Sequence, residues 1–207
     1  AGFFLCLESQ IHGTLGIRVI WVGCEMLRQV RRIVTGHDET GKSIILSDGP
    51  SPHVLENPEQ EQRGLTDLWR TTATPASNAG NADAADTQVT LAPPAKGSVF
   101  RYFQIRPAAW DADITAEERA RRDAANFEKM GATGAHDSAS AQPGMHKTDT
   151  ADYIILSSGQ VTLILDDGEV AMQPMDVVIQ RGTNHAWVNK GDEPAILAGI
   201  LIDADNI

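Results

Sequence analysis

The sequence predicts an all-β fold, an antiparallel barrel or sandwich. Short strand-like runs crowd the last third of the chain, with about six of them in about sixty residues. The Asp167-Gly168 dipeptide between two apolar runs predicts a hairpin, because a primed turn needs a positive φ that Asp-Gly supplies. The same rhythm of strands and turns already runs through residues 27 to 73. The predicted strands are residues 29–34, 43–46, 65–71, 99–105, 151–156, 160–165, 169–173, 176–180, 184–188 and 195–202.

The length of 207 residues suits one domain with additional segments at its ends. We divide it into an N-terminal extension at residues 1–25, strands, loop and helix that pack on the barrel at 26–135, and the barrel core at 136–207. The extension is an apolar prefix that ends just before Met26, which indicates that Met26 is the natural start. Alternatively, residues 17–22 form an edge strand or an arm on a partner subunit.

Two segments between the strands have their own composition. Residues 74–97 are rich in Ala, Asn, Asp, Thr and Pro without a period, which predicts a long surface loop. Residues 115–130 predict one short helix, with Thr115 and Glu118 at the spacing of a capping box. We expect it to cover the barrel rather than to function, and a polar linker to follow at 131–142. Its expected apolar stripe is Ala116, Ala120, Ala124 and Phe127.

Charge and composition narrow the classes of partner. The net charge of -11 argues against nucleic acid and anionic membranes, which need a basic surface, and leaves a small molecule as the expected ligand. Cys6 and Cys24 are too few for a disulfide framework or a structural zinc site. No apolar run approaches the ~20 residues of a membrane span, so the cytoplasm is the expected compartment.

Two histidines, His146 and His185, each open a strand-like run. On an extended strand Thr148 and Asp152 share the face of His146, while Trp187 shares the face of His185. Two imidazoles and one carboxylate make a facial triad that leaves open positions on a divalent metal such as Fe(II). We therefore predict His146, Asp152 and His185 as metal ligands, with Thr148 and Trp187 against the substrate. The alternative is a hydrogen-bonded cluster of His, Asp and Thr that fills the barrel mouth.

Other polar residues receive no role. Arg181 precedes His185 in a turn, and a solvated turn residue is favoured over an anchor for an anionic substrate. The remaining histidines lie in turn-like or linker segments; they are His12, His37, His53 and His136.

These residues resemble the first motif of the cupin superfamily, which has the order Gly, five residues, His-x-His, three or four residues, Glu, six residues, Gly. His146 matches the first His, Asp152 falls where Glu belongs, and Gly159 closes the motif. Thr148 replaces the second His and is a poor ligand beside imidazole, so the affinity for metal should fall.

The latter part of the second cupin motif is also present. Gly182, His185 and Asn189 are in register with its final Gly, His and Asn. Met175 stands where the family has Gly, and because a positive φ would cost an L-residue about 1 kcal/mol, we expect a negative φ there. The resemblance covers residues 140–203 and is specific for fold rather than for reaction.

The resemblance implies a jelly-roll barrel with N-terminal strand extensions, a homodimer, and Fe, Mn, Ni or Zn as cofactor. Cupins include oxygenases, decarboxylases and isomerases, and the residues do not choose between these reactions. One alternative is a metal-free barrel that binds a small molecule without catalysis. A metal-independent lyase or isomerase with a His and Asp pair stands between the two.

Overall fold

The computed structural model describes residues 27–206. All ten predicted strands are present there, and one more, β3, was not predicted. The strands are β1 (Arg31–His37), β2 (Ser43–Pro50), β3 (Val54–Glu56), β4 (Gly64–Thr71), β5 (Ser98–Ile105), β6 (Thr150–Ser158), β7 (Val161–Leu165), β8 (Glu169–Met172), β9 (Val177–Arg181), β10 (His185–Val188) and β11 (Ala195–Asp203). The helix α1 spans Ala116–Lys129, and two 3-10 turns span Ala108–Asp111 and Thr133–Ala135. The predictions for Cys6, Cys24 and residues 17–22 concern positions outside the described residues.

The strands form three antiparallel sheets. Six strands run in the order β3-β4-β5-β11-β6-β9, three in the order β10-β7-β8, and β1 pairs with β2. Strands from both the 26–135 and the 136–207 segments thus share the largest sheet, and the boundaries of these segments stay predictions. The arrangement is the jelly-roll fold expected from the strand pattern. The loop predicted at residues 74–97 is confirmed, since neither helix nor strand lies between β4 and β5.

The core fills the space between the six-stranded and the three-stranded sheets. Ile154 and Leu156 of β6 and Leu197 of β11 contact Val161 of β7 and Met172 of β8. Each of these side chains is at most 3% exposed. Burying a side chain of this size contributes about 1.5–3 kcal/mol, so this layer holds the two sheets together.

Strand β6 carries the alternation that positions the candidate site. Thr150, Asp152 and Ile154 are buried on its inner face, whereas Tyr153 and Ile155 are exposed on its outer face. Successive side chains of a strand point to opposite faces, so Asp152 follows the core residues inward. The predicted parity is confirmed for this strand.

The N-terminus of α1 forms half of the predicted capping box. The Thr115 side chain accepts a hydrogen bond from the backbone N–H of Glu118 at 3.2 Å. The Glu118 carboxylate instead accepts from Arg121 and Arg122, at 2.8 Å and 2.7 Å. The cap therefore satisfies one free N–H of the first turn, and the acidic side chain serves an ion-pair network.

The predicted apolar stripe of α1 is right for Phe127 and wrong for its three alanines. The structure buries Asp123 and Phe127 on this helix and leaves the three alanines exposed; these are Ala116, Ala120 and Ala124. The helix packs over a polar cavity rather than over the apolar core, so its polar residues turn inward. None of the helices in residues 27–206 is long and apolar enough to cross a membrane.

Two turns near the core differ from expectation. The hairpin at Asp167-Gly168 joins β7 to β8, but Gly168 alone has a positive φ, of 99°. A two-residue type I′ turn needs positive φ at two positions, so a longer connection closes this hairpin. Met175 has a φ of 77°, and the expected negative φ is wrong. Pro174 precedes it, and the Asp176 N–H donates to the Gln173 carbonyl at 3.0 Å, which is the pattern of a type II turn.

Candidate functional site

A cavity of about 430 Å³ lies between the inner face of the six-stranded sheet, β10 and α1. Its wall includes the candidate residues from both motifs and four polar residues of α1 to which the sequence had assigned no role. The candidates His146, Thr148, Asp152, His185 and Trp187 all line it. The volume is in the range of small-molecule sites.

His146 and His185 are brought together by the backbone. Each donates its N–H to the carbonyl of the other at 2.9 Å, so the two residues form an isolated antiparallel bridge. Their ring centroids lie 4.2 Å apart. This pairing brings the two histidines of the predicted metal site into contact.

Each imidazole is oriented by a carbonyl from the turn before it. Nδ1 of His146 lies 2.9 Å from the Gly144 carbonyl oxygen, and Nδ1 of His185 lies 2.9 Å from the Thr183 carbonyl oxygen. Since a carbonyl only accepts hydrogen bonds, Nδ1 carries the proton in both rings. Nε2 is therefore the basic nitrogen of each ring, and it has no hydrogen-bond partner among residues 27–206.

Burial keeps both rings neutral. Desolvation, with a smaller effect from His146, lowers the pKa of His185 to about 3. Desolvation also lowers the pKa of His146, and the positive charge of Arg63 adds to that effect. A neutral imidazole with a free Nε2 is the form that binds a metal ion or accepts a proton.

Asp152 lies deeper in the same cavity and is 4% exposed. Its Oδ1 is buried without a hydrogen-bond partner in the described part of the chain. Desolvation raises its pKa to about 6, against the opposing effects of the Thr150 hydroxyl and the Arg101 charge. Arg101 forms an ion pair with Asp67, in which Nη2 of Arg101 lies 2.9 Å from Oδ1 of Asp67. The cavity floor is thus a buried carboxyl beside a buried ion pair.

Comparison with curated proteins identifies relatives that match this chain over most of its length. It is 25% identical to a cupin-domain-containing oxidoreductase of Aspergillus ruber, in a match that covers 97% of this chain and 88% of that protein. It is 28% identical to a cupin-domain-containing oxidoreductase of Neurospora crassa, covering 87% and 79%. These relatives carry a cupin domain, and the chain resembles them over most of its length. The resemblance seen in the two motifs is confirmed.

Other comparisons give further likenesses. It is 25% identical to phomopsin biosynthesis cluster protein D of Diaporthe leptostromiformis, covering 79% of this chain and 72% of that protein. Among solved structures, a cupin 2 conserved barrel domain protein from Salinispora arenicola matches with a TM-score of 0.36 and 15% identity, covering 69% and 76% of the two chains. No protein-family model matches the chain.

The structure brings the two motif histidines together but does not gather three ligands. Within residues 27–206, no group of three or more His, Cys, Asp or Glu side chains is placed to hold one metal ion. Asp152 pairs in the sheet with Gln180 and Leu201, whereas His185 pairs with Leu165. The assignment of His146, Asp152 and His185 as ligands stays a prediction.

The two predicted substrate contacts have different surroundings. Thr148 is buried, and its hydroxyl lies 2.7 Å from the Thr150 hydroxyl. Trp187 packs on Phe103 at 6.2 Å between ring centroids and presents an edge to His185 at 5.6 Å. It belongs both to the core and to the cavity wall, and its contact with substrate stays a prediction.

The helix α1 supplies the wall that the sequence reasoning missed. Arg119, Asp123 and Asn126 line the cavity, with Phe127 beside them. Phe127 stacks on His136 at 4.5 Å, and its centroid lies 5.3 Å from that of His146. His136, which received no role, is therefore packed behind the candidate site. The sequence did hold a signal for this polar wall, because its polar residues are three and four positions apart and therefore lie on one face of the helix.

Arg181 lies outside this cavity. Arg181 is exposed at the end of β9 and lines a smaller cavity together with Thr150. This is the solvated position that the sequence favoured. The predicted homodimer, the cytoplasmic location and the absence of a nucleic-acid partner stay predictions.

Proposed function

We propose that this cupin is an oxidoreductase that acts on a small organic molecule in the cavity below α1. The observation that carries the proposal is the pair His146 and His185, neutral and oriented, on the wall of a 430 Å³ cavity. The names of the relatives from Aspergillus ruber and Neurospora crassa support an oxidoreductase rather than another cupin reaction. The oxygenase type is therefore favoured over the decarboxylase and isomerase types.

The donor set fits a divalent transition metal. An Nδ1 proton given to a backbone carbonyl is the arrangement that orients metal-binding imidazoles, and both histidines have it. Asp152 offers a carboxylate oxygen that has no other partner among the described residues. We propose that His146 and His185 hold Fe, Mn, Ni or Zn and that Asp152 completes the set. Such an ion, when bound, supplies Lewis-acid or redox chemistry.

The residues of the chain have three other tasks in this proposal. The apolar wall, which includes Ile154 and Trp187, excludes water from the bound substrate. The backbone bridge fixes the angle between the two imidazoles before any ligand arrives. Arg101 keeps a positive charge beside Asp152, which favours the ionised carboxylate that a metal requires.

Elemental analysis tests the metal site. Protein purified without chelator should contain about one equivalent of Fe, Mn, Ni or Zn per chain. His146→Ala and His185→Ala should each lose it. His37→Ala is the matched control, because His37 is an exposed histidine on β1 and should keep the metal. An oxygen-uptake screen with the loaded protein follows, and the proposal fails if neither metal nor oxygen uptake is found.

A metal-free binding barrel is the second candidate. It is favoured by one observation, that no three ligand side chains are grouped in residues 27–206. In that case the same cavity would hold a metabolite without changing it, and His146 and His185 would act as hydrogen-bond acceptors. Protein without metal that still binds small molecules, with equal loss in both histidine variants, would select this candidate.

A further inference from the structure

Arg63 is a cation of the cavity wall whose guanidinium is in direct contact with none of the described carboxylates. Arg63 lines the cavity, yet it makes no hydrogen bond and no ion pair through its side chain within residues 27–206. Its charge nevertheless reaches the site. Desolvation raises the pKa of Asp123, and the charge of Arg63 opposes that effect, so the guanidinium lies in the electrostatic range of α1.

The other arginines of the cavity wall each contact a group of the protein. Arg101 is paired with Asp67 at 2.9 Å. Arg119 donates to the Asp111 carbonyl oxygen at 2.7 Å. Arg106 lies 5.2 Å over the ring of Trp110. A partly buried cation that lacks such a contact has a desolvation cost, and an anionic ligand would offset that cost.

The charge of the wall differs from that of the whole chain. The net charge is -11, but the cavity wall holds five cationic and four acidic side chains. The cationic residues are Arg63, Arg101, Arg106, Arg119 and Lys129, and the acidic ones are Glu56, Asp111, Asp123 and Asp152. The cavity is the place on an acidic protein where an anion would be accepted.

The turn that carries Arg63 contains a residue in an unfavourable backbone conformation. Gln62 has a φ of 60°, which is the left-handed region that an L-residue rarely adopts. The Arg63 N–H donates to the Gln60 carbonyl at 3.2 Å, and the Arg63 carbonyl accepts from the Asn57 N–H at 3.1 Å. Gln60 is 3% exposed, and its side chain donates to Asp111 at 3.2 Å. These bonds fix the position from which Arg63 enters the cavity.

Part of the cavity wall is apolar and aromatic. Phe103, Phe127 and Trp187 line the same cavity as Arg63, together with Ile154 and Leu201. Aromatic side chains pack on aromatic ligands with geometry that aliphatic ones lack. An apolar, aromatic wall and one unpaired guanidinium together favour a ligand that has an aromatic ring and an acid group.

We propose that Arg63 is the anchor of a carboxylate subsite, and that the substrate of this cavity is a small aromatic carboxylate. The proposal rests on the proposed function only in taking the cavity as the active site. A guanidinium binds a carboxylate through two parallel N–H···O bonds, which gives orientation as well as affinity. Arg63 would thus place the ring against the aromatic wall, with its other end toward His146 and His185.

The test compares benzoate with benzamide, its uncharged analogue, by isothermal titration calorimetry at neutral pH. The wild-type chain should bind benzoate at least about tenfold more tightly than benzamide, as expected for one guanidinium contact. Arg63→Met should remove this preference without changing the affinity for benzamide. Arg63→Lys should keep part of it, since the charge remains but the paired geometry is lost. Arg181→Met, at an exposed arginine outside the cavity, should bind as the wild type does.

Three results would overturn the proposal: equal affinities for benzoate and benzamide, a preference that survives in Arg63→Met, or no saturable binding of benzoate at millimolar concentration. The readout is binding and not turnover. A chain without metal or oxygen uptake that still prefers benzoate through Arg63 would therefore refute the oxidoreductase proposal alone. A metal-loaded, active chain without this preference would refute the Arg63 proposal alone.

Discussion

His146 and His185 exchange both of their backbone hydrogen bonds at 2.9 Å, and this bridge sets their ring centroids 4.2 Å apart. The two residues are 39 positions apart in the sequence, so the contact is made by the fold and not by a local motif. Because the bridge is formed by main-chain atoms, the backbone positions of the two histidines depend little on what the cavity contains. The pair is preorganised for a ligand shared by two imidazoles.

Restoring the missing histidine of the first motif should strengthen metal binding. Thr148 is buried in the cavity wall, two residues after His146 and on the same side of the chain. Thr148→His would add a third imidazole beside the pair, and we expect the affinity for Co(II) to rise by about tenfold or more. Lys147→His is the control, because residue 147 is exposed and points away from the cavity. Visible absorption of bound Co(II) measures both, and equal affinities in the two variants would contradict the placement of the site.

Removing the aromatic side chain of α1 should destabilise the fold. Phe127 is 5% exposed and stacks on His136 behind His146. Phe127→Ala should lower the free energy of unfolding by about 3–5 kcal/mol, as for other buried aromatic truncations. Ala124→Lys should change it by less than about 0.5 kcal/mol, because Ala124 is exposed. Urea unfolding measures both, and a large loss in Ala124→Lys would restore the alanine stripe as the buried face.

The features that could be predicted from the sequence are those with a local cause. Alternation along a strand has a period of two residues, so the inward direction of Thr148, Asp152 and Ile154 follows from their spacing alone. Asp-Gly likewise marks a hairpin by its own backbone preference, and the hairpin is there. These rules place ten strands and one helix correctly.

The features that could not be predicted depend on what an element packs against. An apolar stripe is expected to face inward because most helices cover an apolar core, but α1 covers a polar cavity and turns Asp123 toward it. Arg63 was missed because its turn relies on a left-handed glutamine, for which the sequence holds no signal. The stack of His136 on Phe127 joins a linker to a helix, and no local pattern encodes that contact.

Acid should weaken the attachment of the long loop through Asp83. This carboxylate accepts from Arg32 Nη1 at 2.9 Å and lies 2.9 Å from His53 Nε2. The hydrogen bond with Arg32, followed by that with His53, holds the pKa of Asp83 well below its usual range. A depressed pKa contributes stability above the unfolded value of about 3.9, and that contribution is lost as the pH falls below it.

Asp83→Asn measures this contribution. Its free energy of unfolding should be lower than that of the wild type by about 1–2 kcal/mol at neutral pH, and the difference should shrink as the pH falls from about 5 to about 3. Asp86→Asn is the control, since Asp86 is exposed in the same loop. Urea unfolding across this pH range gives both curves, and a difference that grows toward low pH would show that Asp83 is not the group responsible.

Glycine at position 175 should stabilise the protein, because the family's residue suits the backbone better than the methionine does. Met175 adopts a φ of 77° and is 78% exposed, so its side chain gains little from packing while its backbone carries strain. The turn cannot relax, since the Met175 N–H donates to the Leu156 carbonyl at 2.8 Å and the Leu156 N–H donates to Asp176 at 3.1 Å. Met175→Gly should raise the free energy of unfolding by about 1 kcal/mol, whereas Met175→Ala, which keeps the strain, should change it by less than about 0.5 kcal/mol. Thermal unfolding of the three chains distinguishes backbone from side chain, and equal gains in both variants would assign the effect to the exposed methionine side chain instead.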